Sequence, residues 1–184
     1  MARTVLVIHG AGEPHRRRGK VYWEPLLENS LGPGYRVMAP RMPRPEQPNY
    51  WAWARRVDEL LTGARRPIVV GHSFGASVLL KYFSETVRRP AFAGLFLAAT
   101  PFWGANFPEF ALAPDAAARL RNVSPIYFYH SRDDSEVPFE HLERYRRLLP
   151  HAKSRPLDER GHEYDQAEFP ELAADIRRVE SRAR

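Results

Sequence analysis

The sequence predicts an α/β fold, a three-layer sandwich in which a mostly parallel sheet of about six strands lies between helices. Short apolar runs, such as residues 4–8 and 92–99, alternate with longer segments of helical periodicity. Strands that are apolar on both faces belong in a sheet covered on both sides, and alternation of strands with helices makes that sheet parallel. The 184 residues contain no repeat or linker, which predicts a single domain over 1–184.

The composition is that of a folded protein without disulfides. Apolar residues make up 43% of the chain, and cysteine is absent, which excludes thiol nucleophiles and zinc–thiolate sites. No run approaches the roughly 18 apolar residues of a membrane span, and the apolar run at the N-terminus is too short for a signal peptide. We therefore expect a soluble cytoplasmic protein that does not associate with membranes.

The net charge of +6 raises the question of a nucleic-acid partner. The basic residues occur in small separate groups, at 16–18, 55–56, 65–66, 88–89, 146–147 and 177–178. No nucleic-acid-binding motif accompanies them, so we predict a solvated basic surface and no nucleic-acid partner. The basic group at 16–20 follows the first strand and could attract an anionic substrate.

The first part of the chain predicts three strands separated by two helices. The strands are apolar and rich in β-branched residues, and both helices end at glycine. In order, these elements are a strand at 4–8, a helix at 22–31, a strand at 35–39, a helix from Pro48 or Asn49 to Gly63, and a strand from Ile68.

The second part continues the alternation of helices and strands. In order, the elements are a helix after Gly75, a strand at 92–99, a short helix from its capping residue Asp115 to Leu120, a strand at 125–129, a helix at 139–149, a weak strand at 154–157, and a terminal helix marked by Phe169, Leu172, Ile176 and Val179.

Two glycines, Gly10 and Gly12, follow the first strand, as they would in a dinucleotide-binding loop. The third glycine of that motif is missing, because its position holds His15 in a loop rich in proline and arginine. We therefore predict that the protein uses no cofactor.

The stretch from Ile68 to Leu80 has the order of a nucleophile elbow: an apolar strand, then Gly71-His72-Ser73-Phe74-Gly75, then an apolar helix. So sharp a turn brings the residues two positions before and after the serine close together, which explains the two glycines. The turn places the Ser73 hydroxyl at the carboxyl end of the strand. Ser73 is thus the predicted nucleophile.

A serine hydroxyl needs a base, and the base needs an acid that orients it. The loop after the fifth strand holds Asp133 and Asp134, and the loop after the sixth holds His162. In this type of fold the residues occur in the order serine, acid, histidine. The spacing to Val137-Pro138 favours Asp134 over Asp133, which is expected to cap the turn.

Gly71 to Gly75, the D-x-x-V-P stretch beginning at Asp134, and Gly161-His162 together resemble the α/β-hydrolase family. Chain length and loop style resemble its small single-domain branch, which includes YdeN and retinoblastoma-binding protein 9. The resemblance implies a minimal α/β-hydrolase fold with little or no cap. It also implies that Ser73 is the nucleophile, His162 the general base and acid, and Asp134 the orienting carboxylate. The L-x-C-x-E motif of the retinoblastoma-binding relative is absent, since the chain has no cysteine.

The surroundings of Ser73 are predicted from the same order of elements. The oxyanion hole should consist of the backbone N–H groups of Phe74 and Ala11. His9, His72 and Gly10 flank the site, the two histidines as structural hydrogen-bonding residues. Three aromatic residues of the loop after the fourth strand either line an acyl pocket or pack a small cap: Trp103, Phe107 and Phe110. No metal site is predicted.

The expected function is that of a serine hydrolase, foremost a carboxylesterase that cleaves small acyl esters through an acyl-enzyme. A substrate that is a small-molecule amide or peptide remains an alternative, because the same residues cleave both kinds of bond. A non-catalytic binding protein with this fold is the other alternative. For the enzyme, kcat/KM should rise with pH through a pKa of about 6 to 7, as the histidine loses its proton.

Overall fold

A computed structural model describes residues 2–12, 16–17, 20–104 and 107–182. The described residues form eight strands, in chain order β1 (Arg3–Ile8), β2 (Arg16–Arg17), β3 (Lys20–Val21), β4 (Tyr35–Met38), β5 (Ile68–His72), β6 (Gly94–Ala98), β7 (Ile126–Ser131) and β8 (Lys153–Leu157). Six of them form one sheet in the order β4-β1-β5-β6-β7-β8, and every pair of neighbours is parallel. The predicted sheet is thus confirmed. The sequence did not predict the antiparallel hairpin of β2 and β3.

The described part of the chain also contains six helices: α1 (Trp23–Leu31), α2 (Tyr50–Thr62), α3 (Phe74–Glu85), α4 (Ala116–Leu120), α5 (Glu140–Leu148) and α6 (Pro170–Ser181). Asn49 caps α2 by accepting a hydrogen bond from the Ala52 N–H at 3.0 Å. The prediction that Asp115 caps α4 is wrong for its side chain, which instead pairs with Arg119 at 2.7 Å. No helix among the described residues is both long and apolar enough to cross a membrane.

Two strands differ from their predicted bounds for reasons visible in the sheet. β6 begins at Gly94 rather than Phe92, because its pairing with β5 begins where Gly94 lies opposite Ile68. β7 continues to Ser131, two residues beyond its prediction, because its last residues pair with the end of β8. This extension brings the loop that holds both aspartates close to the loop that holds His162.

Each face of the sheet has its own hydrophobic core. Leu6 and Val69 pack on one face with residues of α2, α3, α4 and α5. Val5 and Val70 pack on the other face with residues of α1 and α6. Successive residues of a strand therefore enter opposite cores, as the pleat of a strand requires. The result is the predicted three-layer arrangement.

The strand order changes direction between β1 and β5. From β1 the chain moves to β4 on one side, then returns to β5 on the other side and continues outward to β8. In open parallel sheets, ligands bind at such a switch point, beyond the carboxyl ends of the strands. The segments that follow these two strands are His9-Gly10 and Ser73, so the topology and the predicted site agree.

Candidate active site

Ser73 lies in the sharp turn between β5 and α3, in a strained backbone conformation with φ of 50° and ψ of −123°. The glycines on either side are required by the close approach of backbone. A Cβ atom on Gly75 would lie 2.3 Å from two carbonyl oxygens at the end of β1, and one on Gly71 would lie 2.6 Å from the backbone of α3. The geometry is that of a nucleophile elbow.

Three side chains from the ends of different strands form one hydrogen-bonded chain. The Ser73 Oγ lies 3.1 Å from the His162 Nε2. The His162 Nδ1 lies 3.0 Å from each carboxylate oxygen of Asp134. The structure therefore brings the three predicted residues together in the order serine, imidazole and carboxylate.

Asp134 is held as a buried carboxylate. Its Oδ1 accepts hydrogen bonds from the backbone N–H groups of Glu136 at 3.0 Å and Val137 at 2.8 Å. The His130 Nε2 lies 3.4 Å from the other oxygen. Burial alone would raise the pKa of Asp134, but the hydrogen bonds from His130, His162 and the backbone outweigh it and hold the pKa well below its ordinary value. Asp134 is thus ionised at neutral pH.

The neighbouring carboxylate, Asp133, contacts the histidine loop but not the imidazole. Its Oδ1 accepts hydrogen bonds from the Gly161 N–H at 3.1 Å and from the Ser131 hydroxyl. The Ser131 Oγ in turn accepts a hydrogen bond from the Arg160 N–H at 3.0 Å. Asp133 and Ser131 therefore connect the two loops that carry Asp134 and the histidine.

The protonation of His162 depends on the surrounding carboxylates. Burial lowers the pKa of His162, but the hydrogen bond to Asp134 and the charges of Asp134, Glu136 and Glu163 raise it, and the pKa lies above its ordinary value of 6.5. One Glu136 oxygen lies 3.5 Å from the His162 Nε2, although 63% of that glutamate side chain is exposed.

His72 and His130 support the site more directly than the sequence indicated. The His72 Nε2 lies 2.9 Å from the backbone oxygen of His162. Burial lowers the pKa of His72 to about 3, helped by the charge of His162, so the ring is neutral and donates this hydrogen bond. The buried His130 ring contacts Asp134. In the sequence, His72 comes directly before Ser73, and His130 lies near the end of an apolar strand. These positions are the signals that could have indicated a role at the site.

A small cavity of about 150 Å³ lies beside Ser73. Its wall includes two predicted residues, His9 and Gly10, and the backbone segment of Ala11. The predicted residues His72, Ser73 and His162 also line it. The rest of the wall was not predicted, and it consists of Val21, Tyr22, Trp23, Glu136 and Glu163. Phe74 begins α3, where a backbone N–H has no acceptor within the helix.

The three aromatic residues predicted near an acyl pocket lie elsewhere. Trp103, Phe107 and Phe110 do not line the cavity beside Ser73 in the part of the chain that the structure describes. The rings of Trp103 and Phe110 surround Phe74, at centroid distances of 6.2 and 4.9 Å, and the Phe107 ring packs on Trp103 at 5.2 Å. The Trp103 indole also donates a hydrogen bond to the Ser77 Oγ at 2.8 Å. The packing alternative therefore describes these residues.

The basic group at 16–20 is mostly outside the described side chains. Within this group only the side chain of Lys20 is described, and its ammonium group pairs with Glu28 at 2.8 Å. His15 also lies outside the described residues. The suggested attraction of an anionic substrate by this group stays a prediction.

One group of potential metal ligands lies at the site: His72, His162 and Glu163 have ligand atoms within 4.8 Å of one another. The imidazole nitrogens are largely occupied, since His162 uses both of its own and His72 uses Nε2 for the backbone of His162. These residues therefore suit proton transfer better than binding of a metal ion.

The serine lies in an elbow at the switch point of a parallel sheet, and it contacts an imidazole that in turn contacts a carboxylate. This arrangement is typical of α/β hydrolases. The sequence model of the alpha/beta hydrolase family matches residues 5–181, and the chain belongs to this family. It is thus a hydrolase by family. No curated protein matches the sequence.

Solved structures of the same fold cover nearly the whole chain. The ydeN gene product from B. subtilis superposes with a TM-score of 0.77 at 19% identity, covering 98% of this chain and 100% of the other. A putative YdeN-like hydrolase from Pectobacterium atrosepticum has a TM-score of 0.68 at 18% identity, covering 97% and 90%. Esterase PE8 has a TM-score of 0.66 at 20% identity, covering 96% and 92%.

Proposed function

We propose that the protein is a serine hydrolase, foremost a carboxylesterase that cleaves small acyl esters through a covalent intermediate on Ser73. The observation that carries this proposal is the continuous hydrogen-bonded chain from Ser73 through His162 to Asp134. A buried, ionised Asp134 holds the imidazole with its Nδ1 protonated, which leaves Nε2 free to accept the proton of the serine hydroxyl.

Acylation begins when the Ser73 Oγ attacks the ester carbonyl carbon while its proton moves to the His162 Nε2. The carbonyl oxygen gains a negative charge, and in this proposal the backbone N–H groups of Phe74 and Ala11 stabilise it. The tetrahedral intermediate then collapses. The bond to the alcohol oxygen breaks, and His162 gives its proton to that oxygen.

Deacylation repeats these steps with water. His162 takes a proton from a water molecule, whose oxygen attacks the acyl carbon, and the imidazolium then returns a proton to the Ser73 Oγ as the carboxylic acid leaves. No other reactant is consumed, so the products are one acid and one alcohol.

The size of the cavity supports a small acyl group. A volume of about 150 Å³ is similar to that of a protein cavity that holds one benzene molecule. Short acyl chains fit such a space. The structural likeness to an esterase supports the choice of an ester substrate.

We also propose a cytoplasmic location, which a chain without cysteine suits.

Labelling by a fluorophosphonate tests the nucleophile directly. We expect stoichiometric modification of the wild-type protein, located at Ser73 by mass spectrometry, and no modification of Ser73→Ala. The matched control is Ser135→Ala, which removes an exposed serine near the histidine and should be labelled like the wild type. Folded wild-type protein that takes up no label would contradict the proposal and favour a binding protein.

Esters of increasing chain length, tested beside the matching anilides, then define the substrate. We expect acetyl and propionyl esters to be cleaved with the highest kcat/KM. A labelled enzyme that hydrolyses anilides but no esters would replace the esterase with an amidase that uses the same residues.

A further inference from the structure

A second cavity opens at the opposite edge of the sheet from Ser73. Its volume is about 390 Å³, and its wall includes the first residues of β7 and β8, Ile126 and Lys153, together with Val179 of α6. All six strands run the same way, so this edge carries their amino ends. At about 3.3 Å per residue, strands of five or six residues separate the two edges by roughly 15 to 20 Å.

The wall of this second cavity is strongly basic. Arg66, Lys153, Arg178 and Arg182 all contribute to it, and His151 lies among them. Among the residues that the structure describes there, no carboxylate takes part in the wall. Four positive charges thus surround one concave space.

These charges are not neutralised by neighbouring groups in the described part of the chain. The side chains of Arg66 and Arg182 have no ion pair or hydrogen bond there. Among the described residues, the only carboxylate within 4 Å of Arg178 belongs to Asp175, at 3.8 Å. Both oxygens of Asp175 already accept hydrogen bonds from Arg155, at 2.8 and 2.9 Å. An anion in the cavity would therefore meet guanidinium groups whose hydrogen bonds are unused.

Lys153 and Tyr127 add two further hydrogen-bond donors to the wall of the cavity. The Lys153 Nζ lies 5.0 Å above the centre of the Tyr127 ring and donates a hydrogen bond to its hydroxyl oxygen at 3.1 Å. Tyr127 is 1% exposed, and the proton of its hydroxyl has no acceptor among the described side chains. A lysine fixed on a buried ring presents its remaining N–H groups in a defined direction.

Part of the wall of this cavity is apolar, because Phe92, Ile126 and Val179 contribute to it. A space of about 300 to 1,000 Å³ with an apolar lining and a few converging polar groups is typical of small-molecule sites. Arginine binds phosphate through two parallel hydrogen bonds. We propose that this cavity binds a small molecule that carries a phosphate group on an apolar or aromatic body.

The fold explains why the pairs of basic residues do not indicate a binding site in the sequence alone. The pairs at 65–66, 88–89 and 177–178 are far apart along the chain, and each by itself indicates only a solvated surface. A neighbouring depression includes Arg65, Arg66, Arg88 and Arg89. Two of these pairs and Arg178 of the third thus lie at one edge of the sheet, and Arg66 belongs to both depressions.

Calorimetric titration with phenyl phosphate tests the proposal. The variant Arg66→Gln/Arg182→Gln removes two exposed cations of the cavity, and the control Arg55→Gln/Arg147→Gln removes two exposed cations from α2 and α5, so both lower the net charge equally. We expect the dissociation constant to rise at least about tenfold in the first variant and less than about twofold in the control. An equal rise in both variants would overturn the proposal.

Two further titrations separate the contributions of the charged and the apolar wall residues. Inorganic phosphate should bind more weakly than phenyl phosphate, because it cannot contact the apolar residues of the wall, and Ser73→Ala should bind phenyl phosphate like the wild type. The wild type failing to saturate below about 10 mM phenyl phosphate would overturn the site. Tight binding of an oligonucleotide without saturable binding of phenyl phosphate would also overturn it, and would replace the small molecule with a nucleic acid.

Discussion

The two edges of the sheet carry charged groups in opposite ways. At the carboxyl edge, Asp133 and Asp134 are each held by identified donors, and the carboxylate of Asp134 is fully buried. At the amino edge, Arg66 and Arg182 are exposed and have no acceptor among the described residues. The two aspartates thus have partners among the described residues, whereas the two arginines do not.

This difference shows where a single substitution matters. A buried charge with several fixed partners cannot be changed without leaving those partners unsatisfied. An exposed cation is solvated by water, so removing one changes little unless a ligand uses it. Substitutions at the carboxyl edge should therefore lower kcat strongly. The loss should be largest for residues that contact the imidazole of His162 directly.

The largest effect is expected where the two adjacent aspartates are compared. Asp134→Asn should lower kcat/KM for an acetyl ester by on the order of 10⁴-fold, because the amide group no longer orients the imidazole. Asp133→Asn keeps a carbonyl oxygen for the Gly161 N–H and should cost less than about tenfold. Steady-state kinetics of both folded variants provide the test, and equal losses would contradict the assignment of the orienting carboxylate.

A smaller effect is expected from the hydrogen bond between His72 and the backbone of His162. His72→Gln can still donate a hydrogen bond to that carbonyl, whereas His72→Met has a similar shape and no donor. Since a small displacement of a catalytic group can cost up to about 100-fold, we expect a loss of kcat in the Met variant of about 10- to 100-fold, with KM little changed. The Gln variant should recover much of it. If both variants lose kcat equally, His72 acts through packing alone.

The smallest effect is expected from the carboxylate near Nε2, and it is a shift in pH dependence. The base must be neutral, and its pKa is raised, so the kcat/KM of the wild type should rise with pH through a value above 6.5. Glu136→Gln removes one cause of that increase, so the rise should move to lower pH. The exposed Glu59→Gln on α2 is the control. A curve that stays in place, or moves to higher pH, would contradict this role.

Much of the fold followed from local patterns in the sequence. Apolar strands, glycines that end helices and the elbow motif depend on neighbouring residues, and the structure confirms the order of elements that they predicted. The spacing around Asp134 and His162 also selected residues that the structure brings together. For these features the necessary information lies within a few residues of each position.

What the sequence could not indicate depends on contacts between distant segments. The wall of the cavity beside Ser73 includes Trp23, whose ring packs on that of His72 with centroids 5.0 Å apart, although the two residues are far apart in the sequence. The aromatic loop packs around Phe74 instead of the cavity for the same reason, since its direction is set by packing on α3. The basic edge is likewise assembled from loops that meet only in the folded sheet.

The neighbouring contacts of the two aspartates also limit how the chain can change in length. Asp133 holds the backbone of Gly161 while Asp134 holds the side chain of His162, so two consecutive residues on one loop match two on the other. Inserting or deleting one residue within either short stretch would shift this match and present the wrong group to the imidazole. Extra residues near Asp158, an exposed position before the matched pair, would leave it intact. We therefore expect an inserted residue to be tolerated near Asp158 but not between Gly161 and His162.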